Sequence, residues 1–289
     1  MLSKVETQVE TPSGKGASDE NFPVGSWILA RSLRPHVKNF YAFARAIDDI
    51  ADNSDLSPEE KISRLESFRL AVEDGIGDPE VFLKAHRLRH TCEQVHIPVC
   101  HALDLITAFK QDAVKGRYES WDELINYCLY SAAPVGRFLL DLHGENQDRY
   151  PESDALCNAL QILNHLQDCQ SDHRLLDRVY LPLDWMKQCG AHSDDLQKER
   201  ACANLRKVID LCLDGVEELL FIADSLPERV LSRRLRIEAQ VVVFLARRLC
   251  VLLRRGDPIA GRVGLSKRDF FWYAIKGMIQ GSLGKRQSS

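Results

Sequence analysis

The amino-acid sequence predicts an all-α fold, a single-domain helical bundle around a central cavity. Apolar residues recur at spacings of three and four along most of the chain, which is the period of an amphipathic helix. No stretch shows the strict alternation of a β-strand. The 289 residues are 45% apolar and 28% charged, as in an ordinary globular protein. We therefore expect long helices to form the core.

Five helices are predicted in the first half of the chain, each from its own start or stop signal. Proline breaks the helical hydrogen-bond ladder, so the first helix is bent or interrupted at Pro35 and the fifth is kinked at Pro134. The second helix begins with a capping-box spacing from Ser57 to Glu60, and Pro58 occupies its first turn. The predicted ranges are 27–51, 57–75, 78–97, 98–114 and 121–143.

The second half is predicted to contain further helices and one extended segment. Apolar periodicity defines the helices, and the run Arg178-Val179-Tyr180-Leu181-Pro182-Leu183 defines the extended segment. The predicted helices cover 152–172, 193–224 and 228–254, and a short helix follows Ser266.

The domain organisation follows from where the periodicity begins and ends. Residues 1–20 are polar and aperiodic, so they are predicted to form a disordered tail. The helical domain covers 21–280, and residues 281–289 form a flexible C-terminal tail.

Composition and charge narrow the possible classes of function. A net charge of −4 and a pI near 6.2 argue against general affinity for nucleic acid. The nine cysteines form no CxxC pair, so we expect reduced structural thiols and no zinc site. No signal peptide is expected, because the first twenty residues are polar and lack an apolar core, and the most apolar stretch, 239–253, is expected to be too short to span a bilayer. These features predict a cytoplasmic protein and leave open peripheral contact at the inner face of the membrane.

An acidic motif ends the first predicted helix. At 100° per residue, Asp48 and Asp52 lie within about 40° of each other, and Arg45 lies one turn earlier. Carboxylates at i and i+4 repel, so a cation is expected between them. A single motif of this kind also describes a solvated acidic helix end. Arg45 either neutralises Asp48 or Asp49 in a surface pair or contacts a substrate.

A second motif of the same spacing lies in the helix predicted over 152–172. With Asp168 set at zero, Gln161, Asn164, His165 and Asp172 fall at about 20°, −40°, 60° and 40°. They form one polar stripe on a helix whose other faces are apolar. Two such stripes that face each other across a cavity are expected to bind divalent cations.

The donor set indicates the metal and the chemistry. Hard carboxylate oxygens suit Mg²⁺, which takes one or two carboxylates and completes its octahedron with water and substrate phosphate. The implied reaction is ionisation of a diphosphate ester, with the metal stabilising the leaving pyrophosphate. No GxGxxG loop is present, and NADPH is not expected.

The motifs resemble the squalene/phytoene synthase family of isoprenoid synthases, from about Phe22 to about Lys276. They also resemble a bacterial branch of that family that acts in hopanoid synthesis. The resemblance is carried by the following runs: 45–52, 127–128, 131–137, 161–172 and 178–182. In that branch presqualene diphosphate loses pyrophosphate, the cation rearranges, and water captures it as hydroxysqualene. A presqualene diphosphate synthase supplies the substrate, and a flavin-dependent reductase completes squalene.

The resemblance also implies roles for residues of this sequence. Asp48, Asp52, Asp168 and Asp172 would hold Mg²⁺ and the diphosphate. The other implied roles are phosphate contact for Arg45, closure over the leaving group for Arg178, cavity lining for Gln161 and Asn164, and proximity to the reacting carbons for Tyr127.

Two side chains keep a structural alternative. Tyr127 lies in an apolar run and is equally well explained as an ordinary core tyrosine. His165 is a general base, a water holder or a hydrogen-bonded partner of Asp168.

The sequence departs from the family in two places. The diphosphate-contacting motif that is Ser-x-Ser-Phe in many members appears here as Asp19-Glu20-Asn21-Phe22, without the two serine hydroxyls, and Cys250 replaces a cavity tyrosine. Both changes fit a substrate with one diphosphate. The alternatives are a head-to-head condensing synthase and a non-catalytic assembly factor of the same family.

Near the C-terminus, Phe270, Phe271, Trp272 and Tyr273 follow the basic pair Lys267-Arg268. These rings either touch membrane lipid or pack against the helical bundle.

Overall fold

The computed structural model describes residues 29–283, with side chains as far as residue 281. The predicted tail 1–20 and the candidate residues Asn21 and Phe22 lie outside this range. The all-α prediction is confirmed, because the described residues form helices and no β-strand. The helices are α1 Arg34–Asp52, α2 Pro58–Glu73, α3 Leu83–Val95, α4 Cys100–Asp112, α5 Trp121–Ser131, α6 Ala133–Leu142, α7 Tyr150–Leu176, α8 Leu183–Cys189, α9 Ala203–Ala223, α10 Leu226–Arg229, α11 Arg233–Arg255 and α12 Lys267–Leu283.

One compact unit comprises α1 to α4, within residues 30–115. Phe43 and Phe68 are buried in its core with ring centroids 6.1 Å apart, and the half-buried Phe82 ring lies 5.4 Å from Phe68. The predicted cap of α2 is present, since the Ser57 hydroxyl accepts a hydrogen bond from the Glu60 amide at 3.2 Å. These contacts hold the inner face of α1 against α2.

A second compact unit comprises α5 to α12, and its described part is Leu29 with residues 116–283. The long helix α7 packs against α6, α9 and α11. Gly136 on α6 permits a close approach of α6 to α7. A Cβ there would overlap the Ser153 hydroxyl and lie 2.7 Å from the Cys157 sulfur, both on α7.

Two predicted proline distortions are wrong in detail. Pro35 starts α1 rather than bending it, because a residue without an N–H is tolerated in the first turn. For the same reason, Pro134 lies in the first turn of a new helix. The predicted kinked helix 121–143 is therefore two helices, α5 and α6, joined at Ala132.

Other predicted boundaries also shift. The range predicted as one helix over 193–224 starts with a short 3₁₀ turn, Ser193–Gln197, and α9 begins only after Cys202. The Cys202 sulfur caps α9 by accepting a hydrogen bond from the Leu205 amide. Residues 78–82 form turns before α3. The helix predicted over 228–254 divides into α10 and α11, and the final helix has 17 residues rather than a few turns. Within residues 29–283, no helix is both long enough and apolar enough to cross a bilayer.

Candidate active site

The first acidic motif occupies the C-terminal turns of α1. Arg45 donates from one guanidinium nitrogen to Asp48 at 2.8 Å and from the other to Asp49 at 3.2 Å. The side chains of Arg45 and Asp48 are 20% and 26% exposed, so most of each side chain is buried while a part still reaches solvent. Arg45 thus forms the neutralising pair that the sequence left as an alternative. Its contact with phosphate stays a prediction.

The charge balance around Asp48 favours a further cation. Burial, and next the nearby Asp52 carboxylate, raise the pKa of Asp48 well above its ordinary value, and Asp112 and Asp49 act in the same direction. Arg45 opposes this shift but does not cancel it. Negative charge in the last turn of a helix also meets the negative end of the helix dipole. A bound cation would relieve both costs.

Asp112, at the end of α4, was missed by the sequence reasoning. It is 8% exposed and lies close enough to raise the pKa of Asp48. The sequence held a signal, because Asp112 follows Leu105 and Ala108 at helical spacing and therefore lies on their apolar face. In the structure all three residues are buried. A carboxylate on an apolar helix face is costly unless it serves a bound group or a partner.

The second acidic motif lies on α7. Asp168 is exposed and Asp172 is half-buried, one turn apart. The helix ends just beyond, where Asp177 adopts a left-handed conformation with φ of 50° and the Arg178 amide donates to the Asp172 carbonyl at 3.2 Å. This turn places the buried Arg178 side chain in the same region of the second unit.

No group of three or more His, Cys, Asp or Glu side chains within residues 29–283 is arranged to hold a metal by itself. Mg²⁺ commonly takes one or two protein carboxylates and fills its other positions with water and substrate phosphate. The paired aspartates on each helix match that donor set. The residues therefore fit Mg²⁺ that binds together with a diphosphate.

An aromatic cluster surrounds the N-terminal half of the polar stripe on α7. His165 stacks on Tyr180, with ring centroids 3.5 Å apart and planes 13° apart. Tyr127 lies 6.2 Å from the His165 ring and 5.8 Å from Tyr180. The Gln161 amide nitrogen is 3.1 Å from the His165 Nε2. The structure thus brings together Tyr127, Gln161 and His165, and Asn164 is half-buried on the same helix.

His165 is neutral near pH 7. Burial, and then the positive charge of Arg178, lower the pKa of this imidazole to about 3. A neutral imidazole accepts at one ring nitrogen and donates at the other. The side chain is therefore suited to holding a polar molecule, and it is a weak base.

Tyr118 and Tyr180 received no role in the sequence reasoning. The segment before α5 pairs with the segment after α7, since the Val179 amide donates to the Gly116 carbonyl at 2.8 Å. A Cβ at Gly116 would lie 2.7 Å from the Asp177 carbonyl oxygen, so the approach requires glycine. This pairing stacks Tyr118 on Tyr180 at 5.7 Å. The contact joins two tyrosines that are 62 residues apart in the chain, which a local pattern does not reveal.

Comparison with known proteins identifies the family. The sequence model of squalene/phytoene synthases matches residues 16–269. The chain belongs to the squalene/phytoene synthase family. A hydroxysqualene synthase from Rhodopseudomonas palustris is 43% identical over 265 residues, which cover 90% of this chain and 88% of the relative. A hydroxysqualene synthase from Zymomonas mobilis is 40% identical over 263 residues, with 89% and 86% coverage.

Solved structures agree with the fold. The crystal structure of a squalene synthase from Alicyclobacillus acidocaldarius superposes with a TM-score of 0.70 at 32% identity and covers 80% of this chain and 87% of that one. A dehydrosqualene synthase matches at a TM-score of 0.77 and 20% identity, covering 90% and 91%. The isoprenoid-synthase fold predicted from the motifs is confirmed.

Proposed function

We propose that this protein converts presqualene diphosphate and water into hydroxysqualene and pyrophosphate. The observation that carries the proposal is the composition of α7, where an acidic stripe adjoins a neutral wall of His165, Gln161 and tyrosine rings. The acidic stripe can bind a metal diphosphate, and the neutral wall can shelter a carbocation. The hydroxysqualene synthases that are 40–43% identical over about 90% of the chain support the same reaction.

Four aspartates, Asp48, Asp52, Asp168 and Asp172, are proposed to hold Mg²⁺ with the substrate diphosphate. Bound Mg²⁺ would supply positive charge that stabilises pyrophosphate as it leaves. Arg45 adds a charge-assisted donor, and Arg178 adds a second cation beside the stripe. Asn21 and Phe22, which end the altered diphosphate-contacting motif, are proposed to contact the same diphosphate.

The tyrosine rings are proposed to protect the carbocation during its rearrangement. The faces of Tyr127 and Tyr180 carry negative electrostatic potential and contain no nucleophile that would trap a cation. His165 adds no positive charge there, because its pKa is about 3. Apolar surroundings keep other water away from the reactive carbon.

Water capture is proposed to occur beside Gln161, Asn164 and His165. These neutral groups can orient one water molecule by hydrogen bonds without binding the cation covalently. The water oxygen forms the new C–O bond, and its proton passes to the departing pyrophosphate or to solvent, since His165 is too weak a base to retain it. No electrons are transferred, so the reaction itself needs no NADPH.

Other proteins are expected on either side of this step. We propose that a presqualene diphosphate synthase supplies the substrate and that a flavin-dependent reductase consumes hydroxysqualene. Because substrate and product carry long prenyl chains, we also propose a cytoplasmic protein in peripheral contact with the membrane.

The reaction is tested with the purified protein, Mg²⁺ and two substrates in separate incubations. Hydroxysqualene from presqualene diphosphate, with farnesyl diphosphate left intact, is the expected result. Consumption of farnesyl diphosphate alone would indicate a condensing synthase, and inertness toward both would indicate a non-catalytic family member. The variant that combines Asp48→Asn with Asp168→Asn should lose turnover even at saturating Mg²⁺. Retained turnover would contradict the metal assignment.

A further inference from the structure

Helix α12 packs against α11 through glycines, and this packing determines which face of α12 points outward. A Cβ at Gly277 would overlap the Val241 side chain and lie 3.0 Å from the Val241 backbone nitrogen. A Cβ at Gly281 would lie 2.9 Å from the Cα of Ile237. The glycine face is therefore pressed against α11, and the opposite face is directed away from it.

That opposite face is strongly apolar and exposed. Phe271, Trp272 and Ile279 are 63%, 67% and 58% exposed. At 100° per residue they fall within an arc of about 100°, and Ile275 and Met278 lie in or beside the same arc. Exposed apolar side chains that cluster along one helix indicate an interaction surface rather than scattered surface residues.

Basic residues border this apolar face. Lys267 and Arg268 are exposed in the first turn of α12. Lys276 lies at the edge of the apolar face, with its Nζ 4.4 Å from the centre of the Phe244 ring. The one acidic residue of the helix, Asp269, accepts from the Arg248 guanidinium at 2.8 Å. The exposed charge beside the apolar face is therefore positive.

We propose that the outer face of α12 is a docking surface for an anionic phospholipid bilayer. A helix with aromatic and aliphatic side chains on one face and lysine or arginine at its border is suited to lie in the plane of a membrane interface. Its basic residues complement the negative surface potential of anionic lipid. Seventeen residues give a helix about 25 Å long, which offers the whole arc to one flat surface. This surface gives the proposed peripheral membrane contact a definite location.

The test measures sedimentation of the full-length protein with phosphatidylcholine vesicles that contain or lack about one third phosphatidylglycerol. Binding is expected only to the anionic vesicles, with a blue shift of tryptophan emission as Trp272 leaves water. Phe271→Ser combined with Trp272→Ser should weaken the partition at least about tenfold, because two large apolar side chains no longer enter the bilayer. Lys267→Gln combined with Arg268→Gln should weaken it about tenfold and reduce its sensitivity to salt.

A matched control comes from a different apolar surface. Phe221 and Ile222 on α9 are 78% and 49% exposed beside Asp214, Glu217 and Glu218. Phe221→Ser combined with Ile222→Ser removes a similar apolar area from an acidic surface and should bind vesicles as the wild type does. Thermal melting of each variant checks that the fold is intact.

Three results would overturn the proposal. The first is wild-type protein that stays in the supernatant with anionic vesicles, and the second is equal binding of the α12 and α9 double variants. A wild-type dimer that the α12 variant dissociates, without vesicle binding, would assign this face to a second copy of the chain. Vesicle binding requires no substrate, so the surface and the proposed reaction stand or fall separately.

Discussion

Replacing His165 by glutamine should change how the stability of the second compact unit depends on pH. His165 is 9% exposed, and burial followed by the charge of Arg178 lowers its pKa from an ordinary 6.5 to about 3. Between these two values the unfolded chain binds a proton that the folded chain excludes. Stability from the neutral imidazole is therefore complete above about pH 6.5 and is lost as the pH falls toward 3.

The size of the effect follows from the two pKa values. Lowering the pH from 7.5 to 5 should cost the folded state about 2 kcal/mol through this one imidazole. Glutamine keeps a side chain able to hydrogen-bond Gln161 but does not titrate. The variant should therefore lose about 2 kcal/mol less than the wild type over the same pH interval, whatever its stability at pH 7.5.

The assay is urea unfolding followed by tryptophan fluorescence at pH 7.5 and pH 5. Trp121, Trp185 and Trp272 all lie in the same compact unit as His165, so the signal reports on that unit. The raised pKa of Asp48 gives the opposite pH trend, but it is common to wild type and variant and cancels in the comparison. His90→Gln, on the surface of α3, controls for the loss of any histidine. Identical pH responses of His165→Gln and wild type would refute a buried neutral imidazole.

Three further predictions concern the packing and the charges. In EDTA, Asp48→Asn should raise the melting temperature at pH 7.5. The wild type loses stability as the pH rises from 3.8, the ordinary pKa of an aspartate, through the raised pKa of Asp48, and asparagine does not titrate. An unchanged or lower melting temperature would contradict this. Gly136→Ala should cost about 1 to 3 kcal/mol of unfolding free energy, since the new methyl group meets two α7 side chains, whereas Gly261→Ala, with open space around it, should change the value by under about 0.5 kcal/mol. Tyr180→Leu should lower turnover of presqualene diphosphate at least about tenfold, while Tyr180→Phe keeps the ring and stays within about threefold; equal rates of the two variants would remove the stacked ring from the mechanism.

The sequence predicts a helix boundary well where the residues that determine it are close neighbours in the chain. The Ser57 cap depends only on its neighbours three residues away, and it forms as predicted. The predicted start of α9 is wrong because the loop before this helix is fixed by a contact distant in sequence. In that contact the Ala201 amide donates to the Asp257 carboxylate at 3.0 Å. A cysteine cap at Cys202 also carries little sequence signal.

The candidate site shows the same division. Helical spacing placed Gln161 beside His165, because both lie on one helix a turn apart. Periodicity could not reveal that Tyr180 covers His165, or that Arg178 lowers the pKa of that imidazole, because these residues return to α7 from beyond its end. Their positions depend on the backbone pairing of Val179 with Gly116, which is a tertiary contact.

The central claim is that water captures a carbocation made by loss of pyrophosphate. Incubation of the protein with presqualene diphosphate and Mg²⁺ in H₂¹⁸O, with mass analysis of both products, tests it most directly. The proposed chemistry predicts one ¹⁸O atom in hydroxysqualene and none in the pyrophosphate released at the same time. Label in the pyrophosphate, with an unlabelled alcohol, would mean that water attacks phosphorus, and it would contradict the carbocation mechanism.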